Sequence, residues 1–139
     1  MNNPDDTVVR DLLTSSRVIA VVGASPNAAR PVFGVMRYLM AAGYRVIPIN
    51  PGHAGHEILG QGVYARLADV PDPIDIVDIF RRPSALAGVV DEALALDPSP
   101  KAIWMQLGLR DGAAAAKAEA AGLTVVMNRC IKIEHGRLI

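Results

Sequence analysis

Apolar runs rich in β-branched residues alternate along this chain with segments whose apolar residues recur at helical spacing. The runs, each of which predicts a buried strand, cover residues 17–22, 44–49, 74–80, 102–106 and 123–127. After the first run, apolar side chains recur at i, i+3, i+4, i+7 and i+8, which predicts one face of a helix; they are Val32, Val35, Met36, Leu39 and Met40. A short strand at 63–64 and a helical turn at 66–70 are predicted between the second and third runs.

Residues with strong positional preferences mark the ends of the predicted helices. The acidic segment 4–6 suits the start of a first helix, because negative charge is favourable near a helix amino terminus. Pro31 suits the first turn of the next helix, and Gly43 suits a left-handed cap at its end. Ser84 and Asp111 are predicted to cap two later helices.

Strands that alternate with helices predict an α/β fold. Because consecutive strands joined by helices run parallel with right-handed crossovers, we expect a doubly wound, mostly parallel sheet of five or six strands, with helices on both faces. Nearly continuous apolar strands are typical of a sheet that is buried on both sides. The length of 139 residues fits one domain covering 1–139, with the helix in 1–15 packed on it.

Composition excludes several classes of partner. Fourteen basic and 14 acidic residues give a formal net charge of zero, and aromatic residues make up 4%, so nucleic-acid binding is not expected. Cys130 is the single cysteine, which excludes an internal disulfide. No apolar run reaches the ~18 residues of a membrane span, and the amino-terminal residues lack a basic, apolar leader pattern. We therefore expect a cytoplasmic protein with no membrane partner.

Small residues, amides and arginines follow the predicted strands, at the sheet edge where ligands bind in such folds. These segments are residues 23–30, Asn50-Pro51, Arg81-Arg82-Pro83, residues 106–108 and residues 128–130. Acids are nearly absent from them. Helix N–H groups and arginine side chains bind phosphate well, so the pattern predicts a site for an anionic, nucleotide-type ligand.

The turn after the first strand departs from the dinucleotide pattern. A G-x-G-x-x-G motif that begins at Gly23 requires glycine where the chain has Ser25 and Ala28. Asn50 occupies the end of the second strand, where an acid that binds ribose is expected. Nicotinamide binding therefore lacks two of its expected marks, and an ordinary strand–helix turn without a ligand remains an alternative.

The chain resembles the stand-alone CoA-binding proteins whose fold matches the amino-terminal domain of succinyl-CoA synthetase alpha subunits. The resemblance covers residues 16–139. It is carried by Gly23-Ala24-Ser25, Arg30-Pro31, residues 34–39 and 43–46, Asn50-Pro51, residues 78–83, 104–108 and 129–135. Each segment alone is a weak match to the family, and the order and spacing of all of them together are a more specific match.

The resemblance implies that the cofactor is coenzyme A or an acyl-CoA. The residues that it implicates are Gly23, Ala24 and Ser25 for the pyrophosphate, Arg30 for a phosphate, Asn50 and Pro51 beside the nucleotide, Phe80, Arg81 and Pro83 on the adenine and ribose side, and Gln106 and Gly108 along the pantetheine. The phospho-histidine domain of the synthetases does not fit in this length, so the ligase reaction is not carried over.

The leading hypothesis is non-catalytic binding of CoA or acyl-CoA by a carrier, a sensor or a partner subunit. The alternatives are a component of an acyl-CoA-using transferase or ligase and, less favoured, an NAD(P)-binding oxidoreductase. No Ser–His–acid set is evident, and neither catalytic residues nor a metal site are assigned. A homodimer and a partner subunit both stay open.

Several polar residues have both a functional and a structural interpretation. For His53, His56 and His135 we favour a solvated loop or packing over metal binding and catalysis. Asp75 is expected at the surface where its strand starts. Asp78 lies deeper in the strand, and we expect a structural role with hydrogen-bond donors around it.

Cys130 follows the last strand on the predicted ligand side. Arg129 and Lys132 flank it, and nearby cations favour the reactive thiolate. Two interpretations stay open, an inert buried cysteine and a thiol that forms a mixed disulfide with the CoA thiol.

Overall fold

The computed structural model describes residues 3–139, which form five helices and seven strands. The helices are α1 Asp6–Ser15, α2 Pro31–Ala41, α3 Leu86–Leu94, α4 Gly112–Ala120 and α5 Ile131–Leu138. The strands are β1 Val18–Val22, β2 Arg45–Ile49, β3 Glu57–Ile58, β4 Gln61–Gly62, β5 Ile76–Ile79, β6 Ala102–Met105 and β7 Thr124–Val126.

Five of the strands form one sheet in the order β2-β1-β5-β6-β7, and every pair in it is parallel. In the centre of the sheet, Ala20 of β1 lies beside Ile47 of β2 and Val77 of β5. The prediction of a doubly wound α/β fold with five or six parallel strands is therefore confirmed, with five as the number.

The two faces of the sheet bury separate apolar cores. Helices α3 and α4 cover one face, where Val77 and Ile79 point. Helices α1, α2 and α5 cover the other face, where Ile76 and Trp104 point. Because adjacent residues of a strand point to opposite faces, burial on both sides accounts for the continuous apolar runs.

Helix α1 is attached to the second of these faces. Its start agrees with the prediction, since the Asp5 carboxylate accepts a hydrogen bond from the Val8 N–H at 3.0 Å. The guanidinium of Arg137 in α5 donates to the carboxylates of Asp6, at 2.7 and 2.8 Å, and of Glu134. The bonds to Asp6 join α5 to α1, and together with the bond to Glu134 they raise the pKa of Arg137.

Three local features differ from the sequence predictions. The short strand was expected at 63–64, but the strand found here, β4, covers residues 61–62 and pairs with β3 in a hairpin. Tyr64 makes one isolated parallel bridge to Ile49. Ser84 does not cap α3, because Pro83 opens a 3-10 turn and Ala85 becomes the cap residue. Helix α5 was not predicted, since its buried positions include a charged residue, Glu134.

Between residues 3 and 139, no helix is both long enough and apolar enough to cross a membrane.

Candidate functional site

The carboxyl ends of the central strands meet at the point where the chain changes direction across the sheet. After β1 the chain moves to β2 on one side, and after β2 it returns to β5 on the other side of β1. Ligands of doubly wound sheets bind in the crevice at such a switch point. The turn at Gly23 and the segment that begins at Phe80 flank this crevice.

Two cavities open at this edge. The larger, about 380 Å³, is lined on the β2 side by Asn50, Pro51 and Gly52, and by Leu67. The smaller, about 230 Å³, is lined by Arg30, Phe80, Gln106 and Leu107. Gly23 and Arg81 line both cavities, so the two form adjoining halves of one groove across the strand ends.

Gly23 is required by close packing at the switch point. Its φ is +88°, a conformation that glycine adopts without strain. A Cβ atom at this position would overlap the carbonyl oxygen of Phe80. The glycine therefore lets the turn after β1 pack directly against the end of β5.

The turn that follows β1 uses part of its own hydrogen-bonding capacity. The N–H groups of Gly23 and Ala24 both donate to the Ile49 carbonyl, at 3.0 and 3.3 Å, so they are not free to bind an anion. The Ser25 hydroxyl accepts from the Asn27 N–H at 3.1 Å. Among residues 3–139, the backbone N–H of Ser25 has no acceptor, which leaves it as a donor for a ligand.

Asn50 holds the turn in place. Its Nδ2 donates to the Ala24 carbonyl at 2.8 Å, and its Oδ1 accepts from the Gly52 N–H at 2.8 Å. Both ends of the side-chain amide are thus used by the protein. Asn50 lies beside the larger cavity, as expected, but its side chain supports the surrounding backbone.

Two arginines of the groove have no acidic partner. Arg30 is exposed and is the N-cap residue of α2, and Pro31 follows at the first helical position as predicted. Arg81 is half-buried. Within the described part of the chain, neither guanidinium forms an ion pair or a hydrogen bond, in contrast to Arg66, which pairs with Asp69 at 3.2 Å. Glu92 is the one acid among the described residues that line the two cavities, so the groove carries a net positive charge.

Phe80 and Pro83 occupy different places relative to the groove. Phe80 lines the smaller cavity together with Arg30 and Gln106. Pro83 is exposed at the start of the 3-10 turn and lies outside the residues that line the two cavities.

Two side-chain amides join the loops that follow β6 and β7, and one of them, Gln106, lines the smaller cavity. Gln106 is 6% exposed, and its Oε1 accepts from the Ile131 N–H at 3.1 Å. The Gly108 N–H donates to Oδ1 of Asn128 at 2.7 Å, and Asn128 has an unusual φ of +57°. Asn128 was noted in the sequence only as part of a strand-end segment; an asparagine directly after a strand, which tolerates positive φ, was the available signal.

The surroundings of Asp78 differ from the prediction. It is fully buried in β5, yet neither carboxylate oxygen has a hydrogen-bond partner in the described structure. Burial raises the pKa of Asp78 well above its ordinary value. The expected donors are missing, and the neutral, protonated acid is the form that this site favours. Asp75, by contrast, lies before the strand as predicted, and its Oδ2 accepts from the Arg17 and Val18 N–H groups at 2.8 and 2.9 Å.

The histidines do not assemble with the groove residues. His135 accepts or donates a 2.8 Å hydrogen bond with the Tyr38 hydroxyl and packs edge-to-face against Tyr44, near the amino-terminal edge of β2. Burial lowers the pKa of His135. His53 and His56 lie in the loop after β2, and no group of three potential metal ligands occurs among residues 3–139.

Comparison with known proteins places this architecture in a family. The CoA binding domain family matches residues 17–136. The uncharacterized Bacillus subtilis protein YneT is 38% identical over 135 residues, which cover 97% of each chain. A solved structure from Thermus thermophilus is 41% identical, with a TM-score of 0.92 over 98% of this chain and 100% of that one.

A longer protein contains the same fold as one part. The dinucleotide forming acetyl-coenzyme A synthetase 1 of Ca. Korarchaeum cryptofilum is 26% identical, with a TM-score of 0.69 over 85% of this chain and 27% of that chain. The match to the family extends over far more than half of the sequence. The chain therefore belongs to the CoA binding domain family.

Proposed function

We propose that this protein binds coenzyme A or an acyl-CoA in the groove at the carboxyl ends of β1, β5 and β6, and that the binding is non-catalytic. The observation that carries the proposal is the pair of unpartnered arginines, Arg30 and Arg81, which line the smaller cavity together with Gly23 in a member of this family. CoA is a polyanion with a pyrophosphate and a ribose phosphate. Guanidinium groups without carboxylate partners are suited to phosphate.

The pyrophosphate is assigned to the turn between Gly23 and Arg30. The Ser25 N–H and the Arg30 guanidinium are its donors, and the amino terminus of α2 adds favourable electrostatic potential. Gly23 and Ala24 support this site through their bonds to Ile49 and contribute no free N–H group.

The nucleotide is assigned to the larger cavity. Pro51 and Gly52 form one wall, and Leu67 adds an apolar surface for the base. Asn50 acts through the turn that it holds, and Arg81 stands at the boundary between the nucleotide and the pantetheine arm. We place Phe80 along the arm, since it lines the smaller cavity, and Pro83 at the outer rim.

The pantetheine arm is assigned to the smaller cavity. Leu107 and Leu109 give it apolar walls, and Gln106 provides an amide. Nε2 of Gln106 donates to no acceptor among the described residues and is available to a carbonyl of the arm. Gly108 shapes the end of this path through its bond to Asn128.

An NAD(P) site is the less favoured alternative. A carboxylate at the end of β2 normally binds the ribose hydroxyls in that class, and the equivalent residue here is Asn50, whose amide is already engaged. Glu92 is the acid among the described residues that line the larger cavity, and it comes from α3.

The cellular role that we propose is that of a carrier, a sensor or a partner subunit. The similarity to part of an acetyl-coenzyme A synthetase supports a CoA site. We do not extend the synthetase reaction to this chain, because the match covers 27% of the longer protein. A transferase or ligase component is the second candidate, and it requires reacting groups from another chain.

Native mass spectrometry of the purified protein tests this proposal. After addition of CoA and NAD at equal concentration, we expect a complex with one CoA per chain and no NAD complex. Retention of NAD without CoA would contradict the proposal.

A further inference from the structure

The larger cavity has a second arginine in its wall besides Arg81. Arg66 lines it together with its neighbours Ala65 and Leu67, all from the loop between β4 and β5, whereas Arg81 comes from the segment after β5. Glu92 is the one acid among the described residues of this wall. The larger cavity is therefore positively charged by itself, and one of its two cations, Arg66, has no role in the site as described so far.

The local backbone fixes Arg66 at the edge of the cavity. Arg66 has an extended conformation, with φ −140° and ψ 157°, and it is the N-cap residue of the 3-10 turn Leu67–Asp69. Its backbone N–H donates to Oδ2 of Asp69 at 3.2 Å, and the side chain of Leu67 is 1% exposed. The buried leucine anchors the turn in the core, so the base of the Arg66 side chain has a defined position beside the cavity.

The guanidinium of Arg66 is only weakly committed to its protein partner. Within the described residues it makes one hydrogen bond, from Nη2 to Oδ1 of Asp69 at 3.2 Å, and the Arg66 side chain is 68% exposed. The guanidinium of Arg137, by contrast, is bonded to both Asp6 and Glu134. Exposed ion pairs contribute little to stability, and four of the five N–H donors of Arg66 stay free. Arg66 can therefore exchange Asp69 for an anionic ligand at small cost.

The ligand assigned to the groove carries an anion at this place. Besides its pyrophosphate, CoA has a 3′-phosphate on the ribose, a phosphate monoester that is strongly anionic at neutral pH. The pyrophosphate is assigned to Ser25 and Arg30, and Arg81 lines both cavities at their boundary. Arg66 lines the larger cavity and not the smaller one. It is therefore the cation that accompanies the nucleotide end of the ligand.

We propose that Arg66 binds the 3′-phosphate of CoA and thereby selects a 3′-phosphorylated nucleotide. On binding, the guanidinium leaves the Asp69 carboxylate and donates to the phosphate oxygens, which match its planar pair of N–H groups better than a single carboxylate oxygen does. The cavity then favours CoA over 3′-dephospho-CoA, whose ribose ends in a hydroxyl. This inference rests on the proposed CoA site.

Isothermal titration of the full-length protein with CoA and, separately, with 3′-dephospho-CoA tests the proposal. The parent protein should prefer CoA by about tenfold, the effect of one hydrogen bond between charged groups. Arg66→Gln should lower the affinity for CoA by the same factor and leave that for 3′-dephospho-CoA unchanged, so that the preference disappears. The matched control is Arg45→Gln, because Arg45 is also an exposed arginine paired with one carboxylate, that of Asp72, but lies at the start of β2 away from the groove. It should keep the full preference.

A second variant tests the exchange of partners. Asp69→Asn retains a side-chain oxygen that can accept from the Arg66 backbone N–H but removes the competing negative charge. It should bind CoA at least as tightly as the parent protein does, and weaker CoA binding by a variant with unchanged urea unfolding would contradict the exchange.

The two ligands separate failure of this inference from failure of the proposed function. If the parent protein binds CoA and 3′-dephospho-CoA equally, or if Arg66→Gln weakens both ligands alike or neither, the role of Arg66 is contradicted and the CoA site stands. If the parent protein binds neither ligand, the proposed function fails, and the selection by Arg66 fails with it.

Discussion

Gly23 packs against the Phe80 carbonyl so closely that a Cβ atom on residue 23 would overlap that oxygen. This contact joins the turn after β1 to the end of β5, the two chain segments on either side of the switch point. It also brings the side chain of Arg81, the next residue, against the turn. The N–H of Gly23 is already bonded to the Ile49 carbonyl, so it does not bind a ligand. The role of this glycine is to let the two segments that form the groove pack together.

Gly23→Ala should destabilise the fold more than Gly43→Ala. Both glycines have positive φ, +88° and +100°, so each alanine costs about 1–2 kcal/mol for the left-handed conformation. Only position 23 adds a steric overlap, because nothing lies within 4 Å of a Cβ at position 43. Urea unfolding of the two variants measures the difference, and equal losses would show that the Phe80 contact is not tight.

Asn50→Ala should weaken both the fold and CoA binding. It removes the two bonds to Ala24 and Gly52, for a loss of roughly 2 kcal/mol at about 1 kcal/mol per bond. The matched control is Thr14→Ala, which removes local hydrogen bonds to the Arg10 and Asp11 carbonyls in α1, outside the groove. Chemical denaturation and calorimetry of both variants check this, and an Asn50→Ala protein of unchanged stability would refute the supporting role.

Much of the sheet was predictable because buried parallel strands are continuous apolar runs, and each of the five predicted runs contains a strand of the sheet. Helix α5 was not predicted because buried Glu134 lies between Ile131 and Leu138 and interrupts the apolar pattern. Its charge is compensated by Arg137, three residues further along the same helix. The role of Asn50 was equally hidden, since its bond to Ala24 joins residues 26 positions apart.

Asp78 should make stability depend on pH. Its pKa is raised by burial above the model-compound value of 3.8, so the native state holds a proton that the unfolded chain releases. The free energy of unfolding therefore falls as the pH rises from about 3.8 toward the folded pKa, by at most about 1.4 kcal/mol per pH unit.

Asp78→Asn should remove this decline, because an amide does not ionise, and the variant should gain stability relative to the parent as the pH rises. Urea unfolding at a series of pH values between 4 and 7 checks the slope. Asp78→Leu should behave in the same way without a buried polar group. A decline that persists in both variants would mean that another group is responsible.

Arg30→Ala and Arg81→Ala should each weaken CoA binding. Loss of a hydrogen bond to a charged group costs about 1.5–3 kcal/mol, which corresponds to a decrease in affinity of roughly 10- to 150-fold. Arg17→Ala is the matched control, since this exposed arginine lies next to a separate cavity at the amino-terminal edge of the sheet. Unchanged affinity in both groove variants would mean that the ligand occupies another pocket.

The most direct measurement is isothermal titration of the purified protein with CoA, acetyl-CoA, NAD and NADP in separate experiments. We expect saturable binding of CoA and acetyl-CoA at one ligand per chain, with no comparable response to either nicotinamide cofactor. Tight binding of NAD or NADP without a response to CoA would contradict this expectation.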